Sequence, residues 1–185
     1  SDDRSKNERP RDDVFYVKAP VFSFSKMTAI DPILTPEMKS TGEVIGYDKQ
    51  FDLAVLKSFQ AAGLSFGIGE EQALILVDFI NDHLEQLLER LSCHTSEFLF
   101  VEGEKKGTGH LNQNIKTISL SEDTLSELIR KMKQKSIGIV IDLRRGKSKW
   151  EKELRKNAVQ HNIPLFTNVD TLSLFVASLG TKEKM

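Results

Sequence analysis

Two short stretches of the chain concentrate groups able to hold an anion. The first, Glu102 to His110 (EGEKKGTGH), sets Gly103, Gly107 and Gly109 among Lys105, Lys106 and Thr108. Glycine-rich turns present successive backbone N–H groups, and lysines with a hydroxyl add the further donors that a phosphate needs. The spacing is neither GxxxxGK[ST] nor GxGxxG, so the signal is weak and an ordinary flexible loop is the commoner reading. In the second stretch Arg144, Arg145, Lys147, Lys149, Lys152, Arg155 and Lys156 face only two carboxylates, Glu151 and Glu153. Such a strip can hold an anionic ligand or a partner's carboxylates. It can equally be a solvated helix face laced by pairs such as Glu151 with Arg155 at i,i+4.

No catalytic constellation accompanies these stretches. His83 and His94 flank a segment that also carries Cys93, and His161 precedes an apolar run; no third ligand at metal spacing joins them. They read as surface histidines and a half-buried thiol. Asp142 and Glu102 end apolar runs, where a general base would stand, but helix capping or loop bracing is the commoner duty of such carboxylates. The reading assigns no catalytic residue and no metal ligand.

Composition narrows the field. The 185 residues carry 26 Lys+Arg against 27 Asp+Glu, a net charge of -1, and one cysteine. This balance argues against a broad nucleic-acid-binding face, and a lone cysteine excludes an internal disulfide scaffold. Apolar runs such as Ala73–Val77 fall far short of the roughly 20 residues that cross a membrane, and the N-terminus shows no signal-peptide pattern. A reduced, cytoplasmic setting is expected.

The elements that must position the two stretches follow from periodicity. Residues 1–13 hold nine charges and no apolar residue, and are expected to be a disordered tail. VFYVKAPVFSFSKM, from Val14, predicts short strands or an extended segment; Asp31 to Gly46, broken by Pro32, Pro36, Gly42 and Gly46, predicts a structured loop. Phe51, Val55, Leu56 and Phe59 share one helical face, predicting a helix over 48–62 with Gly63 as its stop. Three glycines in 63–71 mark a linker. Beyond it, apolar runs at 72–77, 98–101, 115–120, 138–142 and 163–167 alternate with helical patterns. Ser121 is the expected cap of one helix, and Asn168 or Asp170 that of the last, which should stop before Gly180. Strands alternating with helices predict a doubly wound α/β unit with a five-stranded, mainly parallel sheet over 72–180 and a short tail over 181–185.

The passage Val17 to Gly46, VKAPVFSFSKM…DPILTPEMKSTGEVIG, resembles the end of the second ATP-grasp half of the carbamoyl-phosphate synthase large chain. That family shows the same order: an extended VK-x-P-V-x-x-F segment, a lysine, then D-P-x-L-x-P-E-M-[KR]-S-T-G-E-V-[MI]-G. KSFQAAG at 57–63 is similar to the family's following helix. The resemblance implies an extended and helical ATP-grasp remnant over 14–63, a linker over 64–71, and a methylglyoxal-synthase-like regulatory domain over 72–180. It implies a C-terminal portion of a longer oligomeric enzyme, which makes carbamoyl phosphate from bicarbonate, glutamine-derived ammonia and two ATP. That enzyme uses ATP and Mg or Mn in domains upstream, together with a small glutaminase subunit. The portion itself is expected to hold no catalytic residue and no cofactor, and its partners would be the upstream domains.

The resemblance also places an effector site, for a nucleotide or ornithine, over Lys105, Thr108, Arg144, Arg145, Gly146 and Thr167. Several positions depart from nucleotide-responsive members. Leu76 stands for a serine and Asp82 for a phosphate-binding lysine; Glu102 and Lys105 stand for two threonines unless a three-residue insertion brings in Thr108. Asp142-Leu-Arg-Arg-Gly146 replaces N-T-T-S-G, and Ala19 stands where a carboxylate would help to hold ornithine. Carboxylates at a phosphate site repel a dianion, so a lost pyrimidine-nucleotide response and an arginine-pathway isoform are expected. Two other readings remain. One is a stand-alone methylglyoxal-synthase-type lyase; the other is a structural oligomerisation module docking through Arg144 to Lys156.

Overall fold

A computed structural model describes residues 13–21, 42–64, 70–102, 115–144 and 148–182. The chain begins with a ribbon of two antiparallel strands, β1 (Phe15–Val21) and β2 (Gly42–Asp48), in register from Phe15 opposite Asp48 to Val21 opposite Gly42. Part of the loop expected at 31–46 is therefore strand. Gly46, one of the glycines that argue for a loop, serves close packing instead: helix α1 (Phe51–Ala61) crosses β2 so tightly that a Cβ on Gly46 would collide with the backbone of Ala54 and Ser58. Gly63, with φ of 80°, turns the chain out of α1 as expected.

Five further strands form one parallel sheet: β3 (Gln72–Leu76), β4 (Glu97–Val101), β5 (Ile115–Ile118), β6 (Ile137–Asp142) and β7 (Leu165–Phe166). Their order is β5-β4-β3-β6-β7 and every neighbouring pair is parallel. Strand alternation sends side chains to two cores. Ala73, Ile75, Phe98, Phe100, Ile139 and Ile141 pack under α2 (Asp82–Leu91) and α5 (Val169–Lys182). Leu74, Leu76, Leu99, Val101 and Val140 pack under α3 (Glu122–Lys133) and α4 (Lys149–Gln160). Helices on both faces explain why β3, β4 and β6 read as nearly continuous apolar runs. This is the expected doubly wound α/β class, consistent with a methylglyoxal-synthase-like fold; the sheet is wholly rather than mainly parallel.

Local chemistry sets the helix starts. Asn81, Ser121 and Ser148 accept from the backbone amides of Leu84, Thr124 and Glu151, and the Glu151 carboxylate in turn accepts from the Ser148 amide, closing a capping box. Asn168 rather than Asp170 caps α5, its Oδ1 accepting from Asp170 and Thr171 at 2.7 and 3.3 Å. Several boundaries differ from expectation: α1 starts at Phe51 rather than at 48, because Asp48 still pairs with Phe15 in the ribbon, and β5 ends at Ile118 rather than at 120. β7 spans two residues, because only Leu165 and Phe166 pair with β6. Helix α5 continues through Gly180 to Lys182, since a helical glycine merely lowers propensity where packing holds the helix.

The ribbon and the sheet meet through α1. Phe59 on α1 stacks edge-on to Phe175 and Phe166, with ring centroids 5.3 and 6.1 Å apart. No helix among the described residues is long and apolar enough to cross a membrane.

Candidate functional site

In an open parallel sheet, the strand order reverses at a switch point, and the loops beyond the carboxyl ends of the two strands there part to opposite faces. The order β5-β4-β3-β6-β7 puts that point between β3 and β6. Their ends are in register, Leu76 beside Asp142, and the Leu143 amide donates to the Leu76 carbonyl. The loop from β3 leads to α2 on one face, and that from β6 leads to α4 on the other.

Five charged side chains meet at this position. Asp142, the last residue of β6, and Arg155, on the second turn of α4, are each 1% exposed and meet at 2.7 Å between Nη1 and Oδ2. Burial pushes the Asp142 carboxyl above its ordinary range; the Arg155 guanidinium works against that shift and Glu151 adds to it. Arg144, two residues past β6, has a side chain only 10% exposed. Its Nη2 donates to the carbonyls of Val101 at 2.7 Å and Val77 at 3.3 Å, at the ends of β4 and β3. Its Nη1 lies 3.9 Å from the buried Glu151, and its Nε 3.6 Å from Asp78. The Arg144 amide donates to Asp142 Oδ1, which ties the two halves of the cluster together.

Among the described residues, the basic strip is therefore only partly at the surface. Arg155 lies in the core and Arg144 is turned inward, leaving Lys149 and Lys152 exposed on α4 and Lys156 half-buried. Glu151 approaches Arg144, and Arg155 takes Asp142. A signal for this was present in the sequence, since Glu151, Leu154, Arg155 and Ala158 follow the i, i+3, i+4, i+7 spacing of a buried stripe.

Of the effector residues the resemblance placed, Lys105, Thr108, Arg145 and Gly146 lie outside the described residues. Arg144 is at the switch point, and Thr167 is exposed one residue beyond β7 at the same edge of the sheet. Leu76 is fully buried and Asp82 opens α2, exposed. Glu102 is exposed, and its Oε2 accepts a bond from Ser119. The histidine and thiol expectations invert at one pair: His94, the last residue of the 3-10 turn Ser92–His94, is buried, and Cys93 is exposed. His161, at the end of α4, is half-buried, and burial together with Lys133 and Lys135 lowers its pKa. Among the described residues no group of three or more His, Cys, Asp and Glu is placed to hold a metal ion.

Fold and site thus define a doubly wound α/β unit whose switch point is occupied by its own ion pairs. No protein-family model matches the sequence.

Proposed function

We propose that this chain is the C-terminal regulatory portion of a carbamoyl-phosphate synthase large chain, working in the cytoplasm for arginine or pyrimidine synthesis. One observation carries the reading: the motif DPILTPEMKSTGEVIG at 31–46, followed by a doubly wound α/β unit in the position where that family has its regulatory domain. In this reading the synthase chemistry, with ATP and Mg or Mn, belongs to upstream domains of the same large chain, and ammonia comes from a small glutaminase subunit. The role of residues 72–180 is to communicate with those domains.

The switch point favours an arginine-pathway form that has lost its pyrimidine-nucleotide response. A dianionic phosphate there would meet Asp78, Asp142 and Glu151, and both arginines already hold acidic or carbonyl partners. The same pairing disfavours a methylglyoxal-synthase-type lyase, because the Asp142 carboxylate is engaged by Arg155. It also weakens docking through Arg144 to Lys156, since two of the strip's cations are turned inward.

The test is an assay of the longer chain that carries this segment, supplied with bicarbonate, ammonia and ATP, in the presence and absence of uridine monophosphate. Carbamoyl phosphate formation insensitive to the nucleotide is expected. No carbamoyl phosphate overturns the family reading; inhibition at micromolar nucleotide overturns the lost response.

A further inference from the structure

The switch-point crevice of a doubly wound sheet is ordinarily a place for a ligand, because strand-end carbonyls, loop amides and helix N-termini converge there without partners. Here a side chain of the protein supplies a partner. Arg144 leaves the chain just beyond β6, and because β3 lies between β6 and β4, its side chain must run over the end of β3 to reach Val101. One guanidinium nitrogen then joins the Val77 and Val101 carbonyls, while Asp78, on the loop leaving β3, and Glu151, on the first turn of α4, flank the other nitrogens at 3.6 and 3.9 Å. These contacts come from two strand ends and a helix start, and Arg144 itself departs from a third strand end. Below them, the Asp142–Arg155 pair fixes the residue from which Arg144 departs, through the bond from the Arg144 amide to Asp142.

We propose that Arg144 is a built-in plug: it latches the carboxyl ends of β3, β4 and β6 together and holds the switch point shut, in the place a regulatory ligand would take. The planar guanidinium suits this task because it presents several donors in fixed directions, so one side chain engages two carbonyls and faces two carboxylates; an ammonium is a point charge that cannot span them. A ligand seeking the crevice would first have to displace these contacts, and its apparent affinity falls by the fraction of time the latch is open. The inference deepens the regulatory reading, and rests on it only for taking this crevice to be the effector position. The latch itself stands on the contacts of Arg144.

The experiment uses the 185-residue chain and two variants, Arg144→Ala and Arg144→Lys, with amide hydrogen exchange followed residue by residue. In both variants the amides of Glu102 and Leu143, which bond across the strand ends to Ile118 and Leu76, should exchange about tenfold faster or more. Amides in the middle of β3 and β6 should keep their wild-type protection. Unchanged exchange at the strand ends, or a uniform increase throughout the sheet, overturns the latch. Full protection in Arg144→Lys also overturns it, since a charge alone would then suffice. As a second measurement, the wild-type chain is titrated with inorganic phosphate and with uridine monophosphate. No shift of the Glu102 and Leu143 signals at millimolar ligand supports a closed crevice, and saturable shifts overturn it. None of these outcomes depends on carbamoyl phosphate synthesis, so failure of the latch and failure of the family reading are separately visible.

Discussion

The five-stranded sheet hides both of its faces, whereas the two-stranded ribbon beside it hides one. In the larger sheet, β3 and β6 are buried along almost their whole length beneath helices on either side. In the ribbon, the β2 face bearing Gly46 lies against α1, and the other face presents Tyr16, Ile45 and Tyr47, which are 71%, 52% and 62% exposed. The two tyrosines stack across the strands, with Lys18 paired to Glu43 further along. Two strands alone are marginal in water, so this ribbon draws its support from α1. That helix in turn is anchored by Phe59 in the aromatic cluster of the α/β unit. The contrast teaches that stability flows outward from the parallel sheet. What sits at the sheet's carboxyl edge is part of its core, and what sits on the ribbon is an attachment.

The sharpest way to break that contrast is to disturb the buried charges. Arg155→Met leaves Asp142 in the core without its partner and should cost about 3–5 kcal/mol in urea denaturation at neutral pH. Burial already raises the Asp142 carboxyl, and loss of the cation raises it further, so the orphaned group is protonated more readily in the folded than in the unfolded chain. The deficit should therefore shrink as pH falls below neutrality. The double variant Asp142→Leu/Arg155→Met should recover most of the loss, because apolar residues carry no desolvation penalty. A cost below 1 kcal/mol for the single change would mean that the carboxyl edge is not core.

The seam between the two regions comes next. Phe59→Ala removes one ring from the cluster with Phe166 and Phe175 and should cost about 2–3 kcal/mol, under the 3–5 kcal/mol of a fully buried phenylalanine. Its signature is uneven: proteolysis of the ribbon and α1 should accelerate while the sheet's far-UV signal persists. Equal loss in both regions would make them one cooperative unit.

A smaller effect belongs to the start of α4. Ser148→Ala opens the capping box with Glu151 and should cost about 1 kcal/mol in thermal denaturation; Ser148→Asp should restore it. The smallest is a slope. The His161 pKa is lowered in the fold by burial and by Lys133 and Lys135, so the unfolded chain binds that proton more readily. Its contribution is intact above the unfolded value near 6.5 and is lost as pH falls through the lower, folded value. Denaturation midpoints between pH 8 and 5 should fall more steeply in the wild-type chain than in His161→Gln.

Much of the architecture was legible because burial on both faces leaves an unmistakable pattern. GIVID and ALIL read as strands, and their alternation with amphipathic helices predicted the fold class. The cap at Ser121, and that at Asn168 as one of two candidates with Asp170, were legible for a local reason, since a side chain bonding an amide two or three residues ahead needs no distant partner. Other features depended on neighbours that no local pattern reveals. Gly42 and Gly46 looked like loop residues, and only the crossing of α1 gives Gly46 its place in a strand. Gly180 looked like a stop, but the helix holding Phe175 and Leu179 in the core runs past it. His94 sits on a polar stretch, yet the fold around the 3-10 turn that follows α2 buries it.

The candidate site divides along the same line. Residue types and spacing alone determined that Arg144 to Lys156 would be rich in cations, and that Asp142 would end a buried strand at the edge where such sheets bind ligands. Which cation meets which carboxylate was decided by tertiary structure, because the strand order that brings the ends of β3, β4 and β6 together is a choice among distant segments. Once that order exists, a charge buried at the strand ends must find a partner within a few ångströms. Asp142 takes Arg155, and Arg144 closes over the ends of β3 and β4.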